Sequence, residues 1–172
     1  MPEFLTLLPP PDALARLLEN LPATPLAEEI PTTDALGRVA FASILAPHPL
    51  PEFPRSTVDG YAVRAADTYG AGESLPAYLN LIGEVPMGGA PTFSIRPTEC
   101  ALIHTGGMLP EGANAVVMVE HTQEIQQTNQ QASKPTTSSY AEIEIHRAVA
   151  VGDNVIKAGE DVKTGEEVIP AG

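Results

Sequence analysis

Tryptophan is absent from the sequence, cysteine occurs once, and aromatic residues make up only 5% of the chain. A single cysteine excludes a disulfide framework. Cys100 stands in the apolar run CALI, which favours a buried small hydrophobic side chain over a nucleophile or a metal ligand. The histidines at 48, 104, 121 and 146 lack the i, i+4 spacing of a helical zinc site. We therefore expect neither a disulfide-stabilised protein nor a structural zinc site.

Basic residues are also scarce, because 9 Lys and Arg stand against 22 Asp and Glu, for a net charge of -13. Nucleic acids and anionic membranes are bound mainly by clustered Lys and Arg, so neither is expected as a partner. No apolar run approaches the ~18 residues of a membrane span, and the first residues lack the basic segment of a secretory signal. A cytoplasmic location is the expectation.

Glycine and proline are abundant instead, with 14 and 18 residues among the 172, while 43% of the chain is hydrophobic. This composition favours turns and short strands around a core, and the expected fold class is α+β, mostly β. A Walker loop, a dinucleotide GxGxxG motif after a strand and a GxSxG elbow are all missing from the sequence. Nucleotide binding and triad hydrolysis therefore have no local support.

The first third of the chain predicts one amphipathic helix and one strand. Leucines at 14, 17, 18 and 21 share a face of a helix over 12–21, and residues 32–34 form a capped turn that ends at Gly37. The apolar run at 39–45 predicts a strand buried on both faces. Four prolines then make 46–54 a stiff connector, which marks a domain boundary.

The remainder predicts a small antiparallel β domain with short strands. Its candidate strands are 61–63, 78–82, 101–104, 115–119, 142–146, 154–156 and 167–169. The polar segment 126–139 offers almost nothing to bury and predicts a disordered loop between two strands.

Three segments carry residues suited to chemistry, and each also has a plain structural explanation. In RSTVDGYAV, residues 55–63, the Asp-Gly pair predicts a tight hairpin. In HTGG, residues 104–107, successive N–H groups after a strand can line an anion-binding concavity, although a strand-ending turn is commoner. In KAGEDV, residues 157–162, Glu160 and Asp161 suit either cation coordination or a solvated turn.

Four blocks in this order resemble the molybdopterin molybdenumtransferase family, which includes MoeA and the gephyrin E-domain. They are LGRV at 36–39 with APHPLPEFPRSTVDGYAV at 46–63, GEVPMGGAP at 83–91, HTGGMLPEGANAVVMVE at 104–120, and the stretch from 152 to 172 that holds DNVIKAGEDV and IPAG. The resemblance spans nearly the whole chain except the polar loop.

The resemblance implies an enzyme that hydrolyses adenylylated molybdopterin with Mg²⁺ and inserts molybdate to form molybdenum cofactor. It also implies a homodimer with a shared cleft. The implied domains are a helical arm at 1–25, an incomplete elongated linking domain at 26–45 plus 165–172, and an inserted β-rich domain at 46–164 with a mobile polar loop at 122–140. The resemblance covers neither the family's pterin-binding α/β domain nor its C-terminal β domain, so the chain alone is expected to be inactive.

Matched by motif, the implied catalytic residues are Asp59 and Asp161, with Asp59 also the metal ligand, while Thr105 and Gly106 are implied to bind the cofactor. The family usually carries Met at the position of His104. Two alternatives stay open: a non-catalytic dimerisation or scaffold module, and a free-standing binder of a divalent cation or an oxyanion.

Overall fold

A computed structural model describes residues 7–21, 26–126 and 141–172. The chain divides into two compact units, one formed by Met1–Ile44 with Val168–Gly172 and the other by Leu45–Glu167. The resemblance implies an inserted β-rich domain at 46–164, and the second unit has similar limits. The assignment of these units to an arm and a linking domain stays a prediction.

The first unit contains helix α1, Pro10–Glu19, and a 3-10 turn at Thr32–Asp34. Prolines suit the first turn of a helix because the N–H that they lack has no partner there. The predicted helix at 12–21 is thus confirmed, although it begins and ends two residues earlier than predicted. The leucines of its apolar face are all exposed, at Leu14, Leu17, Leu18 and Leu21. Gly37 ends the following turn with a φ of 79°.

The prediction of a buried strand at 39–45 is wrong. Only Ile44–Leu45 is a strand, β1, and it pairs with β10, Glu167–Ile169, in a sheet of two strands. Val39 and Phe41 are 73% and 66% exposed. Hydrophobicity predicts a buried strand only where other elements cover its faces, and within the described residues this run has no such cover.

The second unit is built on a mixed sheet of six strands, five of which lie at predicted strand positions. The strand order is β6-β3-β5-β4-β8-β7. Their bounds are β3 Gly60–Val63, β4 Ala77–Glu84, β5 Glu99–Ile103, β6 Ala115–Met118, β7 Thr122–Gln126 and β8 Ala141–Ile145.

One pair departs from the predicted antiparallel arrangement, because β4 and β5 run parallel. A parallel pair needs a crossover connection of about a dozen residues rather than a hairpin, and the segment 85–98 between the two strands is long enough. A register shift between Leu81 and Glu84 bends the end of β4. The other four strand pairs are antiparallel.

Both faces of the central strands are buried, since side chains alternate between two apolar clusters. Tyr61, Val63, Leu79, Cys100, Ala115, Val117, Ile143 and Ile145 belong to the larger cluster, and Ala62, Val85, Ile103 and Val116 form the smaller one. Cys100 is fully buried, which confirms its predicted structural role, and burial raises the pKa of its thiol to about 12.

Short pairings hold the flanking segments of the second unit. Strand β2, Arg55–Ser56, pairs with β9, Val155–Ile156. The proline-rich connector lies beside the segment after β9, where the backbone N–H of Leu50 donates to the carbonyl of Val162 at 2.8 Å.

The prediction of a mobile polar loop at 122–140 is wrong for its first five residues. Residues 122–126 form β7 and pair with β8 along their whole length. β7 is an outer strand of the sheet, so its mostly polar residues can pair with β8 while Ile143 and Ile145 of β8 provide the buried apolar side chains. The rest of the predicted loop, 127–140, lies outside the described residues. In the part of the chain that the structure describes, no helix is long and apolar enough to cross a membrane.

Candidate functional site

Sheet register brings Asp59 and Thr105 together at one edge of the central sheet, the edge at which β3 begins and β5 ends. Gly60, the first residue of β3, pairs with Ile103, the last residue of β5. Because the two strands are antiparallel, the residue before β3 and the residues after β5 meet beyond this pair. Asp59 and the His104-Thr105 segment are therefore neighbours, although 46 positions separate Asp59 from Thr105.

The predicted tight hairpin at Asp59-Gly60 is wrong, since β2 pairs with β9 and β3 pairs with β5 and β6. Gly60 is needed for a different reason. A Cβ atom at this position would lie 1.9 Å from the carbonyl oxygen of Val117 on β6. The close approach of two backbones excludes any side chain at Gly60, the residue that follows Asp59 and begins β3.

Thr105 binds one oxygen of Asp59 twice. The backbone N–H of Thr105 donates to Oδ1 of Asp59 at 2.7 Å, and its Oγ1 hydroxyl donates to the same oxygen at 3.1 Å. The backbone hydrogen bond lowers the pKa of Asp59 most, the hydroxyl lowers it further, and the charge of His104 adds a smaller effect in the same direction. Asp59 is thus an ionised carboxylate whose side chain is 65% exposed.

The second carboxylate oxygen of Asp59 is open. Within residues 7–21, 26–126 and 141–172, no hydrogen bond reaches Oδ2. A carboxylate with one anchored oxygen and one open oxygen can accept a water proton or contribute one ligand to a hard cation.

The three N–H groups of Thr105, Gly106 and Gly107 do not line an anion-binding concavity. Thr105 donates to Asp59, Gly106 donates to the carbonyl of Ser56 at 2.8 Å, and Gly107 donates to the carbonyl of His104 at 2.8 Å. Gly106 has a φ of 82°, which the turn requires. The strand-ending turn therefore describes the local structure, and a cofactor-binding role of Thr105 and Gly106 stays a prediction.

His104 and Glu84 complete this edge of the sheet. Nε2 of His104 lies 2.8 Å from Oε1 of Glu84, and Nδ1 of His104 lies 3.9 Å from Oδ1 of Asp59. The sequence predicted no functional role for His104, which departs from the family pattern, and none for Glu84. No local spacing signals this contact, because it depends on the parallel pairing of β4 with β5.

Asp161 lies on a separate segment, after β9. Its backbone N–H donates to the carbonyl of Leu50 at 2.9 Å, and its side chain is exposed. Glu160 beside it accepts a hydrogen bond from the backbone N–H of Lys157 at 2.9 Å and so closes the turn. Within the described part of the chain, no hydrogen bond or ion pair joins Asp161 to Asp59 or Thr105.

Metal coordination by this chain alone is limited. Among the described residues, no group of three or more His, Cys, Asp or Glu side chains converges as a metal site. Mg²⁺ is commonly held by one or two carboxylates together with substrate phosphates and water. The ionised, half-open carboxylate of Asp59 fits one position of such a shell.

Fold and site together define a mixed-β domain that presents one anchored carboxylate at the edge of its sheet. The chain belongs to the MoeA N-terminal region family, domains I and II, whose model matches residues 8–172. The resemblance inferred from the ordered motifs is thereby confirmed.

Three similar proteins illustrate the family. The chain is 36% identical over 157 residues to a protein of Methanocaldococcus jannaschii whose name refers to molybdopterin biosynthesis, covering 91% of this chain and 34% of that protein. It is 33% identical over 145 residues to the molybdopterin molybdenumtransferase of Bacillus subtilis, covering 84% and 31%. The crystal structure of the molybdopterin biosynthesis protein moeA from Pyrococcus horikoshii OT3 superposes with a TM-score of 0.81 at 35% identity.

That superposition covers 97% of this chain and 40% of the crystal structure, which confirms the mostly β fold of the MoeA N-terminal region. The chain spans about a third of the length of the curated relatives that it matches. Family membership therefore applies to the N-terminal region that they share.

Proposed function

We propose that this chain forms the carboxylate-bearing part of a molybdopterin molybdenumtransferase, acting in the cytoplasm. The complete enzyme hydrolyses adenylylated molybdopterin and inserts molybdate to form molybdenum cofactor. Membership of the MoeA N-terminal region family is the observation that carries the proposal. The relatives that bear the transferase name support the reaction, and the chain matches about a third of their length.

Asp59 is the first catalytic candidate. Its ionised state and its open Oδ2 suit a role beside a phosphoryl group, either as one ligand of Mg²⁺ or as an acceptor that orients a water. When bound, Mg²⁺ supplies neutralisation of phosphate charge. Asp59 itself supplies a fixed negative oxygen at the sheet edge, held by Thr105.

Thr105 and Gly106 act on this site through Asp59 in our proposal. Both donors of Thr105 point at Oδ1, and Gly106 shapes the turn that carries Thr105. Asp161 is proposed as a second carboxylate, contributed by the turn after β9, where it is exposed and available to a substrate or a partner.

Charge indicates what else the site needs. Adenylylated molybdopterin and molybdate are anions, whereas this chain carries a net charge of -13. Anions approach such a surface only where cations or Lys and Arg from another surface offset the repulsion. We therefore propose a homodimer whose cleft combines these carboxylates with basic groups from outside this region, and we expect no turnover by this chain alone.

The test measures AMP release from adenylylated molybdopterin, with Mg²⁺ and molybdate present, by the 172-residue chain and by the longest protein that its gene encodes. Release by a longer protein and none by the chain is the expected result. Release by the isolated chain overturns the proposed inactivity, and a longer protein that releases no AMP overturns the proposed transferase activity.

A non-catalytic dimerisation or scaffold module is the second candidate, favoured by the exposed leucines of α1. Amphipathic faces of this kind usually pack against another element. Sedimentation equilibrium of the chain distinguishes the candidates when it is combined with the AMP assay. Self-association by a gene product that never releases AMP favours the scaffold.

A further inference from the structure

Three side chains form a row at the edge of the sheet: Glu84 at the end of β4, His104 after β5 and Asp59 before β3. The two ring nitrogens of His104 face different carboxylates, Nε2 towards Glu84 at 2.8 Å and Nδ1 towards Asp59 at 3.9 Å. His104 is 31% exposed, against 56% for Glu84 and 65% for Asp59. The ring is thus the most enclosed member of the row.

Glu84 fixes the ring of His104. A histidine that uses one nitrogen in a short hydrogen bond to a carboxylate has its ring orientation set by that bond. The remaining nitrogen then faces a defined direction, here towards Asp59. The distance of 3.9 Å is too long for a direct hydrogen bond, so this contact is electrostatic or bridged by water.

Every described polar contact of the Asp59 side chain falls on the same carboxylate oxygen. The N–H and hydroxyl of Thr105 donate to Oδ1, and Nδ1 of His104 also lies nearest to Oδ1. The carboxylate therefore has one crowded oxygen and one open oxygen. Rotation about χ1 of Asp59 would carry the whole carboxylate away from these donors, and His104 stands on the side of the anchored oxygen.

We propose that His104, oriented by Glu84, is a positioning residue that holds Asp59 in the χ1 rotamer in which one carboxylate oxygen is anchored and the other is open. The inference rests on the proposed role of Asp59 as the carboxylate of the site. Neither His104 nor Glu84 touches the substrate or a cation in this proposal. Glu84 acts through His104, and His104 acts through Asp59.

Four variants separate this role from a general effect on stability. His104→Gln keeps an amide group that can reach Glu84 but loses the group that faces Asp59. Glu84→Met removes the acceptor for the ring at similar size, whereas Glu84→Gln keeps an acceptor oxygen. Glu144→Met is the matched control, since Glu144 lies 3.7 Å from His146 in a similar pair elsewhere on the sheet.

The first measurement is the χ1 rotamer of Asp59, from three-bond NMR couplings between its Cγ and the backbone N and carbonyl carbon. We expect a single rotamer in the unmodified chain, in Glu84→Gln and in Glu144→Met, and averaged couplings in His104→Gln and Glu84→Met. Unchanged couplings in both of the latter variants overturn the proposal. The same spectra show whether each variant stays folded.

The second measurement is Mn²⁺ titration read by electron paramagnetic resonance, with Asp59→Asn defining the binding that depends on Asp59. Loss of an outer group that orients a metal ligand typically weakens metal affinity tenfold or more. We expect a loss of about tenfold in His104→Gln and Glu84→Met, with recovery in Glu84→Gln. Averaged couplings without any Asp59-dependent Mn²⁺ binding support the positioning role and count against the proposed cation role.

Discussion

Thr105 gives two hydrogen bonds to a single oxygen of Asp59, one from its backbone N–H at 2.7 Å and one from its hydroxyl at 3.1 Å. This arrangement binds a turn after β5 to the residue before β3 through a side chain that is mostly exposed. An exposed carboxylate is seldom ordered by chance, because fixing a side chain costs conformational entropy. The contact therefore links the stability of the sheet edge to the orientation of the proposed catalytic group.

Asp59→Asn is expected to abolish most of the activity without unfolding the domain. The asparagine keeps an oxygen that accepts from Thr105 but loses the negative charge that a cation or a water proton needs. In the longest protein that the gene encodes, we expect AMP release to fall by about a hundredfold or more. Thermal unfolding of the variant is measured alongside, and loss of folding together with activity would contradict a specific role.

Thr105→Val tests the hydroxyl contact, because valine keeps the backbone N–H and the shape of threonine. The hydroxyl lowers the pKa of Asp59, so its removal raises that pKa part of the way towards the ordinary value. The measurement is a ¹³C NMR titration of the Asp59 carboxyl carbon, with Thr105→Ser as the control that restores the hydroxyl. An equal pKa in all three proteins would show that the hydroxyl makes no contact in solution.

The same substitution has a defined dependence of stability on pH. A carboxylate whose pKa is depressed in the folded protein stabilises the fold above its unfolded pKa, and this stabilisation disappears as the pH falls through the folded pKa. Thr105→Val should therefore be less stable than the unmodified chain at neutral pH and equally stable in strong acid. Urea unfolding across this range measures the difference in the free energy of unfolding.

Much of the sheet was predictable from local pattern. Alternating side chains at 142–146 predict β8, Ala141–Ile145, within one residue, and short apolar runs bounded by glycine or proline predict β3, β5 and β6. The side chains of these strands are largely buried, so sequence pattern and burial agree there. Ordered motifs also identified the family, as the match over residues 8–172 confirms.

Non-local pairing explains what the sequence could not show. The Asp-Gly pair at 59–60 has the chemistry of a hairpin turn, yet β3 pairs with β5 and β6 while β2 pairs with β9. The strand predicted at 39–45 needed cover that the described residues do not supply. The meeting of Glu84 with His104 depends on the parallel register of β4 and β5, which no local pattern specifies.

Gly60→Ala should destabilise the second unit, because the new methyl group would lie 1.9 Å from the backbone oxygen of Val117. Forcing the strands apart resembles overpacking of a core, which costs roughly 1–3 kcal/mol in the free energy of unfolding. Gly72→Ala is the matched control, since nothing lies within 4 Å of its Cβ position. Urea unfolding of both variants measures the cost, and equal midpoints would contradict the close approach of β3 and β6.

Cys100 should resist modification in the folded chain, because its side chain is fully buried and burial raises the pKa of its thiol to about 12. The thiolate is the reactive form, so Ellman's reagent at pH 8 should leave the native protein unmodified and release one equivalent of thionitrobenzoate in urea. Ser74→Cys supplies the control, since Ser74 is exposed and its cysteine should react at once in the native state. Rapid reaction of native Cys100 would show that β5 opens locally, and would locate that opening in the strand whose end carries His104 and Thr105.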